Sequence, residues 1–272
     1  MSSQNGKTTA AVISTIMLVL LFGFKVARVI MRSNRSSTRS NTEFVDKFRA
    51  KAYLRTLVDT VNYYRCPYFD NLGQVDSFQY KEGGVVVHIT LDEESADRIQ
   101  SIKSNEEKVK EAYMTLYSYP RFFQSAILEV LAVADGGMIL DFRAKNSDDS
   151  CLLYISSYRV GKAAQDTTVS VMDYLLAENE LINTQGVDAN QDIYMEKVAM
   201  EGNYRVYYYQ CKDYVISYIN SIRSQRKREI LNIYKEEDGE DLLKEAGLGM
   251  KYIYVNDRSG KECVITIENH EL

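Results

Sequence analysis

The chain has 272 residues, 45 % of them apolar and 26 % charged, with a formal net charge of −5. That balance supports a packed core and excludes a disordered or low-complexity protein. Trp is absent, Pro occurs twice and Tyr 21 times, a usage that suits strands and half-buried surfaces where a ring packs and a hydroxyl stays wet.

Ala10 to Phe24 is a run of fifteen residues without a charge, interrupted only by Ser14, Thr15 and Gly23. Lys25 and Arg28 follow, yet Val26, Ala27, Val29, Ile30 and Met31 continue the apolar pattern. Together these residues approach the roughly 20 that a bilayer-crossing helix needs, and the two cations can snorkel to the headgroups. A transmembrane helix is therefore expected over 9–31, after an N-terminal tail over 1–8. A cleaved signal peptide is a second reading, but no small-residue cleavage site follows and the flank is basic. A buried soluble helix is the third.

Lys25, Arg28, Arg32, Arg35 and Arg39 stand after the run, against Lys7 before it. The positive-inside rule places the body in the cytoplasm, on a single-pass protein of the inner membrane; a periplasmic body is the alternative. The same five residues are the expected contacts with anionic lipid, each attracted by about 1 kcal/mol, although a plain stop-transfer signal explains them too. Lys25 to Arg55 holds nine basic and two acidic residues, a net of +7; with these and Lys7 set aside, 23 basic and 36 acidic residues remain after Arg55, a net of −13. A body so acidic argues against a nucleic-acid partner.

A basic flexible linker is expected over 32–50, most clearly in the Ser/Asn/Arg tract Arg32 to Thr42. Helical spacing runs from Glu43 to Tyr64, with Phe44, Phe48, Tyr53, Leu54, Leu57, Val58 and Val61 as its apolar stripe. Strands follow at Gln74 to Tyr80 and Val85 to Leu91, then helices at Glu94 to Ile102, Glu106 to Leu116 and Pro120 to Val133. A closing hairpin spans Met138 to Arg143 and Cys151 to Ser157. Lys162 to Thr184 joins this unit to a second, which repeats its order. The second unit has strands at Ile193 to Met200 and Tyr204 to Cys211, helices at Tyr214 to Ser224, Lys227 to Tyr234 and Glu240 to Ala246, and a hairpin at Met250 to Val255 and Glu262 to Glu268.

The repetition is visible residue by residue. Ile99 to Asn105 (IQSIKSN) echoes Ile219 to Gln225 (INSIRSQ), and Ala134 to Val160 aligns without a gap onto Ala246 to Leu272. Gly137 falls on Gly249, Met138 on Met250, Cys151 on Cys263 and Ile155 on Ile267. Duplication at this scale implies two tandem copies of one supersecondary unit. The expected fold is α+β: two similar modules, 51–160 and 161–272, each a small antiparallel sheet packed by helices.

Chemistry is harder to find. The four Cys (Cys66, Cys151, Cys211, Cys263) form no CxxC pair, and the equivalence of Cys151 with Cys263 suggests a small core side chain in each copy rather than a disulfide. His88 sits mid-strand in VVVHITL and reads as a hydrogen-bonded structural residue. The acidic groups Asp92-Glu93-Glu94 and Asp148-Asp149 read as a helix start and a turn before they read as cation sites. Arg223, Arg226, Lys227 and Arg228 read as a solvated helix. Tyr207, Tyr208 and Tyr209 place aromatics on both faces of one strand, one face for the core and the other for a partner. No nucleophile elbow, metal motif, P-loop or GxGxxG is present; neither an enzymatic activity, a metal nor a cofactor is expected.

Cys66-Pro67, Glu82-Gly83, the SIKS helix and the closing AGLGMKYIYVNDRSGKECVITIENHEL together resemble small uncharacterised envelope proteins of Bacteroidales-type bacteria. The resemblance is best over Ala246 to Leu272 and weaker in the first copy, where Asp148-Asp149 stand in place of Gly260-Lys261. It implies a bacterial membrane or envelope protein, names no catalytic residues, and points to export, against the charge-based orientation. The functional expectation is a membrane-anchored, non-catalytic module that binds a protein partner or itself. A ligand-binding sensor or carrier with its site between the two modules is the alternative.

Overall fold

The computed structural model describes residues 39–69, 72–82, 84–91, 95–145, 147–184, 192–236 and 241–272. The first module opens with helix α1 (Arg39–Tyr64) and strands β1 (Tyr68–Phe69), β2 (Gly73–Lys81) and β3 (Gly84–Leu91). Helices α2 (Ser95–Ser104), α3 (Glu106–Ser118) and α4 (Gln124–Val133) then lead to β4 (Gly137–Ala144) and β5 (Ser150–Ile155). Helix α5 (Ser157–Gln165) leads on to α6 (Val171–Asn183), β6 (Ile193–Glu201), β7 (Tyr204–Cys211), α7 (Asp213–Ser221), α8 (Arg223–Glu236), α9 (Asp241–Glu245), β8 (Gly249–Asn256) and β9 (Lys261–Ile267). The expected α+β layering is present, as two similar sheets ordered β1-β2-β3-β4-β5 and β6-β7-β8-β9.

The sheets are mixed, which corrects the antiparallel expectation. Each hairpin is antiparallel, but β3 pairs with β4, and β7 with β8, in parallel. The cause is the connection: three helices separate the inner strands of each module and return the chain to the end of the sheet from which the preceding strand set out, as a parallel pair requires. A second correction falls in the expected flexible linker over 32–50, because α1 is already helical from Arg39. A third concerns α5, which begins where the sequence pattern runs the preceding strand on to Ser157. Ser156 caps this helix, its hydroxyl accepting from the Arg159 amide at 3.3 Å, and Val160 anchors it in the core.

Side-chain alternation decides which sheet face is covered. On β3, Val85, Val87, Ile89 and Leu91 are buried with Leu54, Leu57, Tyr113, Ile127 and Leu131 of the helices. Their neighbours Val86, His88 and Thr90 point the other way, onto a face that no helix of the described residues covers; Val86 is buried there, while Leu152 and Tyr154 stay exposed.

The duplication persists to single atoms. Met138 pairs with Ile155 and Met250 with Ile267; Phe142 pairs with Cys151 and Tyr254 with Cys263. Both these Cys are buried and all four thiols are free. A Cβ on Gly137 would lie 2.7 Å from the Ile155 carbonyl oxygen, and one on Gly249 2.4 Å from that of Ile267, so both copies need glycine at the open end of the hairpin. Both β2 and β6 carry a bulge, between Val75 and Ser77 and between Met195 and Lys197. Beyond each bulge one Asn clamps the free edge of the strand. The Asn62 amide donates to the Phe78 carbonyl and accepts from the Phe78 N–H, both at 2.7 Å. Asn183 makes the same pair with Val198 at 2.8 and 2.7 Å.

The copies are not separate bodies. Helix α6 leads the second module, yet its Ala177 and Leu181 lie in the first core, while Leu175, with Val171 and Met172 beside it, lies in the second. In return Tyr119, between α3 and α4, is buried in the second core, where its ring meets Phe122 and Tyr174. Lys108–Glu180 at 2.9 Å and Arg121–Glu245 at 3.1 Å add ion pairs across the same boundary.

Candidate functional site

The copies differ most on the two faces of their sheets, where a function peculiar to one copy would reside. In the first module, register places Ser77 of β2, His88 of β3 and Asp141 of β4 side by side on the uncovered face, with Thr90 beside Arg143 one step along. Asp141 is the centre: its side chain is 6 % exposed, His88 Nδ1 lies 2.8 Å from Oδ2, and Arg143 donates to the same oxygen from Nη2 at 2.7 Å and Nε at 3.1 Å. Burial works to raise the Asp141 carboxyl, but the hydrogen bonds from Arg143 and His88 outweigh it and hold the group below the usual carboxylate range. An ionised carboxylate obliges His88 to donate from Nδ1. A second carboxylate, Asp76, accepts from Thr90 at 2.6 Å and Gln74 at 2.6 Å. Leu152, next to Asp141 on β5, is 48 % exposed, and Tyr154 on the same strand 61 %.

Ser77, His88 and Asp141 are the residue types of an acyl-transfer triad, but only half of the triad geometry is present. The His–Asp contact is made at Nδ1, as a triad requires, but among the described residues no hydrogen bond joins Ser77 to the His88 ring. The N–H groups of β3 are engaged by the strands on its two sides, so this strand offers no preorganised donor pair for an oxyanion beside the row. What the row provides instead is a fixed pattern of charge and donors with an apolar margin.

The second copy keeps none of this. The positions of His88, Asp141 and Arg143 become Tyr208, Ile253 and Val255, and that face carries Tyr208 donating to Glu201 at 2.6 Å, with the Lys197 ammonium 4.5 Å from the ring centroid. The hydrogen bond to Glu201 pushes the Tyr208 hydroxyl up to about 12. Tyr207 and Tyr209 face the helices. They stack with Tyr252 and Tyr254 at centroid distances of 4.8 Å for Tyr207–Tyr252 and 5.1 Å for Tyr209–Tyr254, where the first copy has Val87, Ile89, Leu140 and Phe142. Burial pushes Tyr209 up to about 12 and raises Tyr252 too. Buried Arg205 closes the ladder, bonded to Glu178 at 3.0 Å and Asn179 at 2.8 Å. Of the tyrosine triplet, then, only Tyr208 stands on the face away from the helices.

The other residues that stand out in the sequence fall as follows. Lys25, Arg28, Arg32 and Arg35 lie outside the described residues, as do the run 9–31 and Asp92 to Glu94; Arg39 is the first residue of α1. Asp149 belongs to a turn, accepting from Ser147 at 2.8 Å. Arg226 and Lys227 are paired within their own module, to Glu229 and Glu271. Among the described residues no cluster suited to a metal ion occurs, and no helix is long and apolar enough to cross a membrane. An open groove of about 310 Å³ between α3 and α6, lined by Lys108, Glu111, Thr115, Asp173, Leu176 and Glu180, has no signal in the sequence.

No protein-family model matches the chain, and no curated protein matches it. Among solved structures, a protein from Pseudomonas aeruginosa, assigned but not demonstrated to be secreted, aligns over 46 % of this chain and 99 % of its own, at 7 % identity and a TM-score of 0.33. A likeness that distant bears on neither fold nor function.

Proposed function

We propose that this is a membrane-anchored, non-catalytic interaction module, tethered by residues 9–31, with its two-lobed body presented to a protein partner or to a second copy. The observation that carries the reading is the uncovered face of the first module. There a buried Asp141 holds His88 and Arg143 in fixed positions beside exposed Leu152 and Tyr154. Aromatic and Arg anchors beside desolvated polar groups are the composition of interface centres. Tyr208, on the equivalent face of the second sheet, is a second candidate contact. The basic residues Lys25, Arg28, Arg32, Arg35 and Arg39 favour an inner membrane with the body in the cytoplasm. Affinity capture of the full chain from solubilised membranes tests the proposal: a stoichiometric partner, lost on replacing Leu152 and Tyr154 by Asp, supports it. Recovery of no partner, itself included, overturns it.

A second reading has its own observation. The groove between α3 and α6 lies between the copies, where a sensor or carrier site would be. A compound that raises the melting temperature of the chain, and fails to do so after Leu176→Arg, supports this reading; a screen without a stabilising compound disposes of it.

A further inference from the structure

Helix α1 has an exposed apolar stripe at its N-terminal end. Its inner side supplies Ala50, Leu54, Leu57, Val58 and Val61 to the core, but Phe48 is 69 % exposed and Val45 42 %. Phe48 belongs to the apolar stripe expected to be buried, so its exposure needs a cause. Val45, Phe48, Arg49 and Ala52 are spaced to share one side of the helix, and all four are exposed. Lys51 and Arg55 are exposed beside them, Arg55 with its guanidinium 5.1 Å from the centroid of the Tyr80 ring. Of the acidic groups nearby, Asp46 is buried and Asp135 is engaged by Lys47 at 3.3 Å; Asp59, four residues beyond Arg55, is exposed further along the same side. This is the basic sector of a body that is otherwise strongly acidic.

The geometry points to an occupant for that stripe: we propose that Val45 and Phe48 dock into the interfacial layer of an anionic bilayer, with Arg49, Lys51 and Arg55 on its phosphates. The inference rests on the membrane-anchor reading of 9–31. Chain length argues for it. From Met31 to Arg39 the chain spans at most about 28 Å, and Phe48 lies only about 14 Å further along the helix axis. The N-terminal turns of α1 are therefore the part of the body held closest to the membrane. A helix with Phe and Val on one side and Arg and Lys at its flanks is suited to lie in the headgroup layer, and lipid accounts for a Phe that the body leaves exposed.

The absence of Trp makes the test clean. Full-length Phe48→Trp and Tyr63→Trp variants, each with a single indole, are reconstituted into phosphatidylcholine–phosphatidylglycerol vesicles containing lipid brominated near the headgroup. Tyr63 is 80 % exposed on the same helix, about 22 Å further on. The Phe48→Trp chain is expected to lose most of its emission and the Tyr63→Trp chain to keep it. Quenching of the Phe48→Trp chain should weaken when phosphatidylglycerol is omitted. Val45→Trp checks the result independently. A Phe48→Trp chain that floats with the vesicles but emits as if in solvent overturns the docking and leaves the anchor standing. Equal quenching of both variants also overturns it, and quenching indifferent to phosphatidylglycerol overturns its charge component. A chain that fails to float overturns the anchor and the docking together.

Discussion

Asp141 is a buried carboxylate whose stability contribution follows from its partners. Its folded-state pKa is depressed, so the stabilisation is present above the unfolded carboxyl value near 4 and is lost as pH falls through the folded value. Asp141→Asn should therefore flatten the acid side of the stability profile below about pH 4 and cost about 1–3 kcal/mol at neutral pH, as read from urea unfolding across a pH series. The cost stays moderate because the Arg143 side chain is 63 % exposed and water can take over its donors. The thiols supply a second residue-scale expectation. Burial pushes Cys66 and Cys211 up to about 11, leaving little thiolate at pH 8. Native protein should label slowly with a disulfide reagent at that pH and denatured protein rapidly; fast labelling of the folded chain would contradict the burial. Arg143 sits two positions from Asp141, so their shared face follows from strand alternation alone. That His88 joins them does not, since fifty-three residues separate His88 from Asp141 and only the parallel register of β3 and β4 brings them together.

At the scale of elements, the Asn clamps are the clearest design shared by both copies. Each satisfies a backbone N–H and a carbonyl at the free edge of a bulged strand, groups that are costly to leave unpaired. Asn62→Ala and Asn183→Ala should each destabilise by about 2 kcal/mol, and the double variant by nearly the sum, because the sites lie in different modules. Chemical denaturation of the three variants measures this; a double variant no worse than either single one would show that the clamps are not independent. The strands, the hairpin turns and most helices were legible from β-branched runs, Gly-bearing turns and 3.6-residue spacing. Helix α5 was not, because Gly161 and a mixed composition hide a segment whose helicity depends on the Ser156 cap and on burying Val160. Phe48 shows the converse, an apolar position with helical spacing that tertiary packing leaves outside.

The whole molecule is two repeats interlocked into one structure. Tyr119 crosses from the first copy into the second core, and α6 crosses back. Tyr119→Ala removes a buried ring from the second core and should cost about 3–5 kcal/mol, the range for large aromatic truncations. The native chain should unfold in one transition; two resolved transitions in wild-type calorimetry would contradict the interlock. Sequence by itself determined the duplication, the α+β class, the positions of nearly all strands, the partition of charge and the N-terminal apolar run, because periodicity, turn chemistry and composition are local. Only the tertiary structure decided that the sheets are mixed, that His88 and Arg143 share one buried carboxylate, that Tyr207 and Tyr209 turn inward while Tyr208 turns out, and that a groove opens between the copies. Each of these depends on which distant strand or helix becomes a neighbour, and that choice is made by the burial of whole faces rather than by the residues beside them in the chain.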